Sequence, residues 1–326
     1  MKSLIFMMGL FALISCSSIT PHKGFDKELS AYSYPFKVHF FELESQGQKL
    51  HMSYMDVGEK NRPSFVLMHG KNFTGAYFED TARFLIQKGF RVIIIDQIGF
   101  GKSSKPTEYQ YTFQQLAINT HELLQSLDIK NYHLLGHSMG GMLATRYALM
   151  FPQEIKKLFL LNPLGFEDWK VLTPYETIDQ NYQTELKATS ESLKNYQLKS
   201  YYDNKWKDEY QKWLEPLIGW NDGPDRAQMA MVSALTRDMI VTQPVFYEFK
   251  NLKVPTVLLI GDRDRTAIGA NLVAPEIAQK MGRYDLLAPR IQMMIPNSKL
   301  VMFKNLGHLP HIENPQLFKQ ELLKFL

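Results

Sequence analysis

The residues with the clearest chemical potential are Gly136-His137-Ser138-Met139-Gly140, a G-x-S-x-G run. It follows an apolar stretch at 132–135 and opens a helical pattern that runs to Met150. A strand turning sharply into a helix holds the middle residue in a strained conformation and exposes its side chain. Strand and helix nearly touch in such a turn, so the flanking positions must be small, as Gly136, Gly140 and Gly141 are. The helix start offers free N–H groups and a positive dipole end, suited to an oxyanion developing beside the serine. The expected chemistry is nucleophilic attack by Ser138.

The elements that must hold this turn follow from hydrophobic patterning. Apolar runs at 65–68, 92–95, 132–135, 158–161, 257–260 and 300–303 read as strands covered on both faces, hence a parallel sheet. Helical patterns at 74–88, 112–127 and 141–150 alternate with them, which predicts a doubly wound α/β domain. Before it, 40–44 and 49–56 read as a hairpin at an antiparallel edge. After Asn162-Pro163 the alternation stops, and 164–241 reads as helical without a strand. All four tryptophans lie in that insert: Trp169, Trp206, Trp213 and Trp220. Trp206, Tyr210 and Trp213 have the spacing of one helical face, expected to pack the insert onto the core. Trp169, soon after the strand at 158–161, is the expected wall of a substrate pocket.

Several separate motifs resemble the α/β-hydrolase superfamily, in its cap-bearing, esterase-like branch. Besides the serine turn they are His69-Gly70 at a strand end, Asp96-Gln-Ile-Gly-Phe-Gly-Lys-Ser103, Gly261-Asp-Arg-Asp264, and Gly307-His308-Leu-Pro-His311. The resemblance implies a mostly parallel sheet with a helical cap after the sixth strand. The core would be 40–163 and 242–326, and the cap 164–241. It implies a triad of Ser138 as nucleophile, His308 as base and Asp264 as its acid partner. Asp262 and His311 compete for the last two roles, and His311 is expected to hydrogen-bond within its loop. The backbone N–H groups of Lys71 and Met139 would form the oxyanion hole. The implied activity is cleavage of a carboxylic ester or related acyl bond on a small molecule, with no cofactor. Amidase, lactonase, carbon–carbon hydrolase or acyltransferase chemistry could use the same triad, and a non-catalytic binder could use the fold. Gly101-Lys102-Ser103 lacks the earlier glycine of a phosphate loop, and His121-Glu122 lacks the second histidine of a zinc helix, so no metal is expected.

Composition narrows the rest. Of 326 residues 45% are apolar and 21% charged, enough for a large core and against wholesale disorder. The net charge of +4 comes without a long basic run, so nucleic acid is not an expected partner. A single cysteine excludes an intrachain disulfide. That cysteine, Cys16, ends an apolar stretch at 4–14 preceded by Lys2. As a helix the stretch reaches about 16 Å, too short to span a membrane, so 1–15 reads as a signal peptide. Leu13-Ile14-Ser15-Cys16 resembles a bacterial lipobox, which implies a lipidated Cys16, export and a membrane anchor. Ser17, where an Asp would resemble an inner-membrane signal, points to the outer membrane. Residues 16–39 would be the lipidated terminus and a tether. Oligomeric state is not legible.

Overall fold

The computed structural model describes residues 24–326. The signal peptide, Cys16 and the start of the expected tether lie outside them. Eight strands form one sheet: β1 (Val38–Ser45), β2 (Gln48–Val57), β3 (Ser64–Met68), β4 (Arg91–Ile95), β5 (Tyr132–His137), β6 (Ile155–Leu161), β7 (Thr256–Gly261) and β8 (Ser298–Phe303). Their order is β1-β2-β4-β3-β5-β6-β7-β8. The β1–β2 and β2–β4 pairs are antiparallel, and all others are parallel. Every residue of β3, β4 and β7 is buried, as strands sandwiched between helices must be. This is the α/β-hydrolase fold that the motifs implied.

Helices α1 (Glu79–Gln87), α2 (Phe113–Ser126) and α3 (Met139–Met150) connect β3 through β6 in turn. Thr112 caps α2 by accepting the Gln115 N–H. Between β6 and β7 come α4 (Ile178–Leu186), α5 (Ser190–Ser200), α6 (Gln211–Asn221) and α7 (Arg226–Thr242). Reciprocal capping boxes start α4, through Thr177 and Gln180, and α5, through Thr189 and Ser192. The short α8 (Pro275–Ala278) and α9 (Tyr284–Met294) precede β8, and α10 (Pro310–Glu313) and α11 (Pro315–Leu323) follow it. Among the described residues, no helix is long and apolar enough to cross a membrane.

Two expectations are corrected. Trp206, Tyr210 and Trp213 do not share a helix, because Lys207 is extended and a 3-10 turn precedes α6. They still pack toward the sheet: Tyr210 stacks on Tyr202 at 3.9 Å, and Trp213 joins the same buried cluster. The expected tether is not free over its second half. Leu29 is fully buried against Trp220 and Met229, with Phe25, Tyr32 and Tyr34 packed around it. The Phe25 N–H donates to Gly219 O at 2.7 Å, and the Trp220 indole N–H to Lys27 O at 3.2 Å. Large apolar side chains interleaved with the polar ones supply the burial that a solvated linker lacks.

Candidate active site

The turn after β5 sets the geometry. Ser138 has φ 58° and ψ −122°, a positive φ outside the ordinary regions for a non-glycine residue. It is held there because β5 and α3 come too close for any other path. A Cβ on Gly136 would meet Gly140 O at 2.1 Å, and one on Gly140 would meet Met68 O at 2.3 Å. The Ser138 side chain makes no capping bond to α3, so its hydroxyl is left for other partners.

Two loops from other strands approach the serine turn. After β7, Asp264 is fully buried. Its Oδ1 accepts the Thr266 N–H at 2.8 Å and the Thr266 hydroxyl at 2.7 Å, and its Oδ2 accepts the Asn162 amide at 2.8 Å. After β8, His308 is fully buried, with Nδ1 2.7 Å from Asp264 Oδ2. Burial would raise the Asp264 carboxyl, but the His308 imidazole and the bonds from His308 and Thr266 outweigh it and hold it below its ordinary value. A carboxylate only accepts, so Nδ1 carries the proton of this bond. The His308 Nε2 has no partner among the described residues. His137, next to Ser138, contacts the His308 ring at 4.8 Å between centroids. Serine turn, imidazole and carboxylate thus lie near one another at the strand ends.

The third loop follows β3. A Cβ on Gly70 would lie 2.9 Å from Ser138 Cβ and 3.4 Å from its Oγ, so this loop passes directly beside the serine. His69 orients the next peptide. Its Nε2 accepts the Gln97 N–H at 3.1 Å, so its Nδ1 bears the proton that Gly70 O accepts at 2.8 Å. In a trans peptide the Lys71 N–H points opposite to that carbonyl. Met139 opens α3, so its own N–H has no helical carbonyl to bind.

The other sequence candidates separate from this cluster. Asp262 faces a surface turn, where its Oδ1 accepts the Asn305 N–H at 2.8 Å. His311 is buried, but neither ring nitrogen has a partner among the described residues. It packs on Tyr77 and Phe78 instead of hydrogen-bonding its loop, and burial pushes it down to about 3. Asp96 anchors its loop: its carboxylate accepts from the Gly75 N–H, the Ser53 hydroxyl and the Tyr34 hydroxyl, at 2.7, 2.8 and 2.7 Å. Among the described residues no group of three His, Cys, Asp or Glu is placed to hold a metal ion.

Beside the Gly70 loop lies a partly open cavity of about 60 Å³. Lys71, Phe100, Trp220, Met229, Val232 and Ser233 are among its lining residues. Trp169 is not: it is buried, its indole N–H donating to Glu167 at 3.3 Å, so the tryptophan at the wall is Trp220. Tyr201, at the end of α5, went unnoticed in the sequence. Its ring stacks on His308 at 4.9 Å, and its hydroxyl accepts the Asn72 amide at 3.0 Å. Being one tyrosine among 16, it carries no sequence signal.

A solved structure of a "probable hydrolytic enzyme" from Pseudomonas aeruginosa PAO1 is 45% identical, covers 93% of this chain and 98% of its own, and superimposes with a TM-score of 0.91. Lipase 1 of Psychrobacter immobilis is 28% identical over 270 residues, 80% of this chain and 76% of the lipase. A carboxylesterase of Bacillus subtilis is 23% identical over 95% of this chain and 94% of its own. The protein is a hydrolase with relatives named lipase and carboxylesterase. The model of the alpha/beta hydrolase fold matches residues 63–315, well over half of the chain, and the chain belongs to that family.

Proposed function

We propose that the protein is a serine hydrolase that cleaves a carboxylic ester of a small molecule through an acyl-enzyme on Ser138. His308 Nε2 takes the serine proton as Oγ attacks the ester carbonyl, and Asp264 steadies the imidazolium that forms. The Lys71 and Met139 N–H groups receive the negative oxygen of the tetrahedral intermediate. His308 then gives its proton to the leaving alkoxide, and water repeats the sequence to release the acid. Every group this scheme needs is a side chain or a backbone amide. The observation that carries it is the fully buried His308–Asp264 contact of 2.7 Å, which leaves Nε2 bare beside the serine turn. The helical insert acts as the cap, and its apolar Trp220, Met229 and Val232 suit the acyl portion of the ester. Export as a lipoprotein anchored through Cys16, in the outer membrane, is part of the same reading and rests on the sequence around that cysteine.

Ser138→Ala tests the mechanism. With a panel of nitrophenyl esters, turnover should fall by a factor on the order of 10⁶ while the fold persists. A fluorophosphonate should label the wild-type protein at Ser138. Retention of more than about a tenth of the activity by the pure variant would exclude the acyl-enzyme.

A further inference from the structure

Tyr77 and His137 stand outside the proposed set of Ser138, His308 and Asp264, yet they join its loops. His137 Nε2 lies 2.8 Å from the backbone oxygen of His308. A carbonyl only accepts, so Nε2 bears the proton. Burial, with His308 and His311 close by, keeps this imidazole neutral and leaves Nδ1 a bare acceptor. The Tyr77 hydroxyl, 2.8 Å away, must therefore donate to Nδ1. The Tyr77 oxygen in turn accepts the Gly70 N–H at 3.1 Å. Every hydrogen bond in the series has its direction fixed: Gly70 N–H to Tyr77, Tyr77 to His137, His137 to the His308 carbonyl. The series crosses from the loop after β3 to the nucleophile turn after β5 and on to the loop after β8. All its members are buried, where aligned hydrogen bonds reinforce one another and a lost partner is costly.

We propose that Tyr77 and His137 are positioning residues, a hydrogen-bonded strut that fixes the oxyanion loop and the His308 loop at a set spacing about Ser138. The inference rests on the roles proposed for Ser138 and His308. The strut touches no substrate and acts through the Lys71 N–H at one end and the His308 ring at the other. Holding these groups within a few tenths of an ångström is what a preorganised site requires.

The test breaks the Tyr77–His137 hydrogen bond from either side. Tyr77→Phe keeps the ring that stacks on Phe73 at 4.7 Å and removes the hydroxyl, and with it both the donor to His137 and the acceptor of the Gly70 N–H. His137→Gln keeps a donor for the His308 carbonyl but has no acceptor at the ring's Nδ1 position, where the Tyr77 hydroxyl donates. Each variant is measured by nitrophenyl ester turnover, by the rate of fluorophosphonate labelling and by thermal melting. We expect kcat and labelling rate to fall about tenfold or more in each, with KM within about twofold. The double variant should be no slower than the slower single, because both lose the same bond. Rates within twofold of wild type, even with a lowered melting temperature, would reduce the pair to packing and overturn the strut. Multiplying effects in the double variant would also overturn it, by making the two side chains independent. If wild type itself is not labelled at Ser138, the nucleophile has failed first. If wild type labels and the variants label equally fast, only the strut has failed.

Discussion

Asp264 has both carboxylate oxygens engaged, by His308, Asn162 and Thr266. An amide in its place leaves the shape nearly unchanged but can present an N–H to the His308 ring, which favours the wrong tautomer. Asp264→Asn should therefore lower kcat by about 10⁴ with the fold intact, as such a change does in a comparable triad. The same residue affects stability against acid. Its folded pKa lies below the unfolded value of about 3.9. It thus adds stability above that pH, and the contribution is lost as the pH falls through the folded value. Denaturant unfolding from pH 7 down to pH 2 should show a shallower acid loss in Asp264→Asn than in wild type. Parallel curves would mean that the carboxylate has no net bond to lose.

At the scale of elements, α6 shows how distant segments complete each other. Pro216 lies inside this helix and has no N–H for the Lys212 carbonyl. The Tyr32 hydroxyl donates to that carbonyl at 3.0 Å instead. Gly219 is where Phe25 packs against the helix, since a Cβ there would come within 2.0 Å of its ring. Residues 24–36 are thus a strap on the helices that line the cavity. Leu29→Ala should cost about 2–4 kcal/mol in urea unfolding, because it empties a fully buried site against Trp220 and Met229. A change under about 0.5 kcal/mol, typical of surface substitutions, would restore the free tether. This strap was illegible in the sequence, where Phe25, Leu29 and Tyr32 read as scattered apolar residues in a polar stretch. Their partners sit near residue 220, and no local pattern encodes such a pairing. The serine turn was readable from its local spacing, and the His69-Gly70 pair, Asp264 and His308 were singled out only because their short motifs resemble those of the family. The strands were readable too, as runs apolar on both faces. The Tyr77–His137 contact was not, for it joins residues 60 apart through a tyrosine that reads as ordinary core.

For the whole molecule, the strap sets how far the hydrolase can stand from an anchor. Docking begins by Phe25, whose N–H is held by Gly219. Only 16–24 then separate the proposed lipid at Cys16 from the folded body. At about 3.5 Å per residue, that stretch cannot exceed roughly 30 Å. The anchor would therefore keep α6 and α7, the helices carrying Trp220 and Met229 at the cavity, within about one bilayer thickness of the lipid surface. The anchor must be more than one acyl chain to be stable, as a diacylglyceryl group with an acylated amine would be. Cys16→Ser should move the protein from the membrane fraction to the soluble fraction, or leave an unprocessed precursor. Activity on a soluble ester should stay within about twofold, because the side chains around Ser138 are fixed by the sheet and not by the terminus. Activity on an ester embedded in vesicles should fall much further, because the cavity is no longer held at the surface. Normal processing with unchanged membrane association would instead leave an exported hydrolase held at the membrane by some other contact.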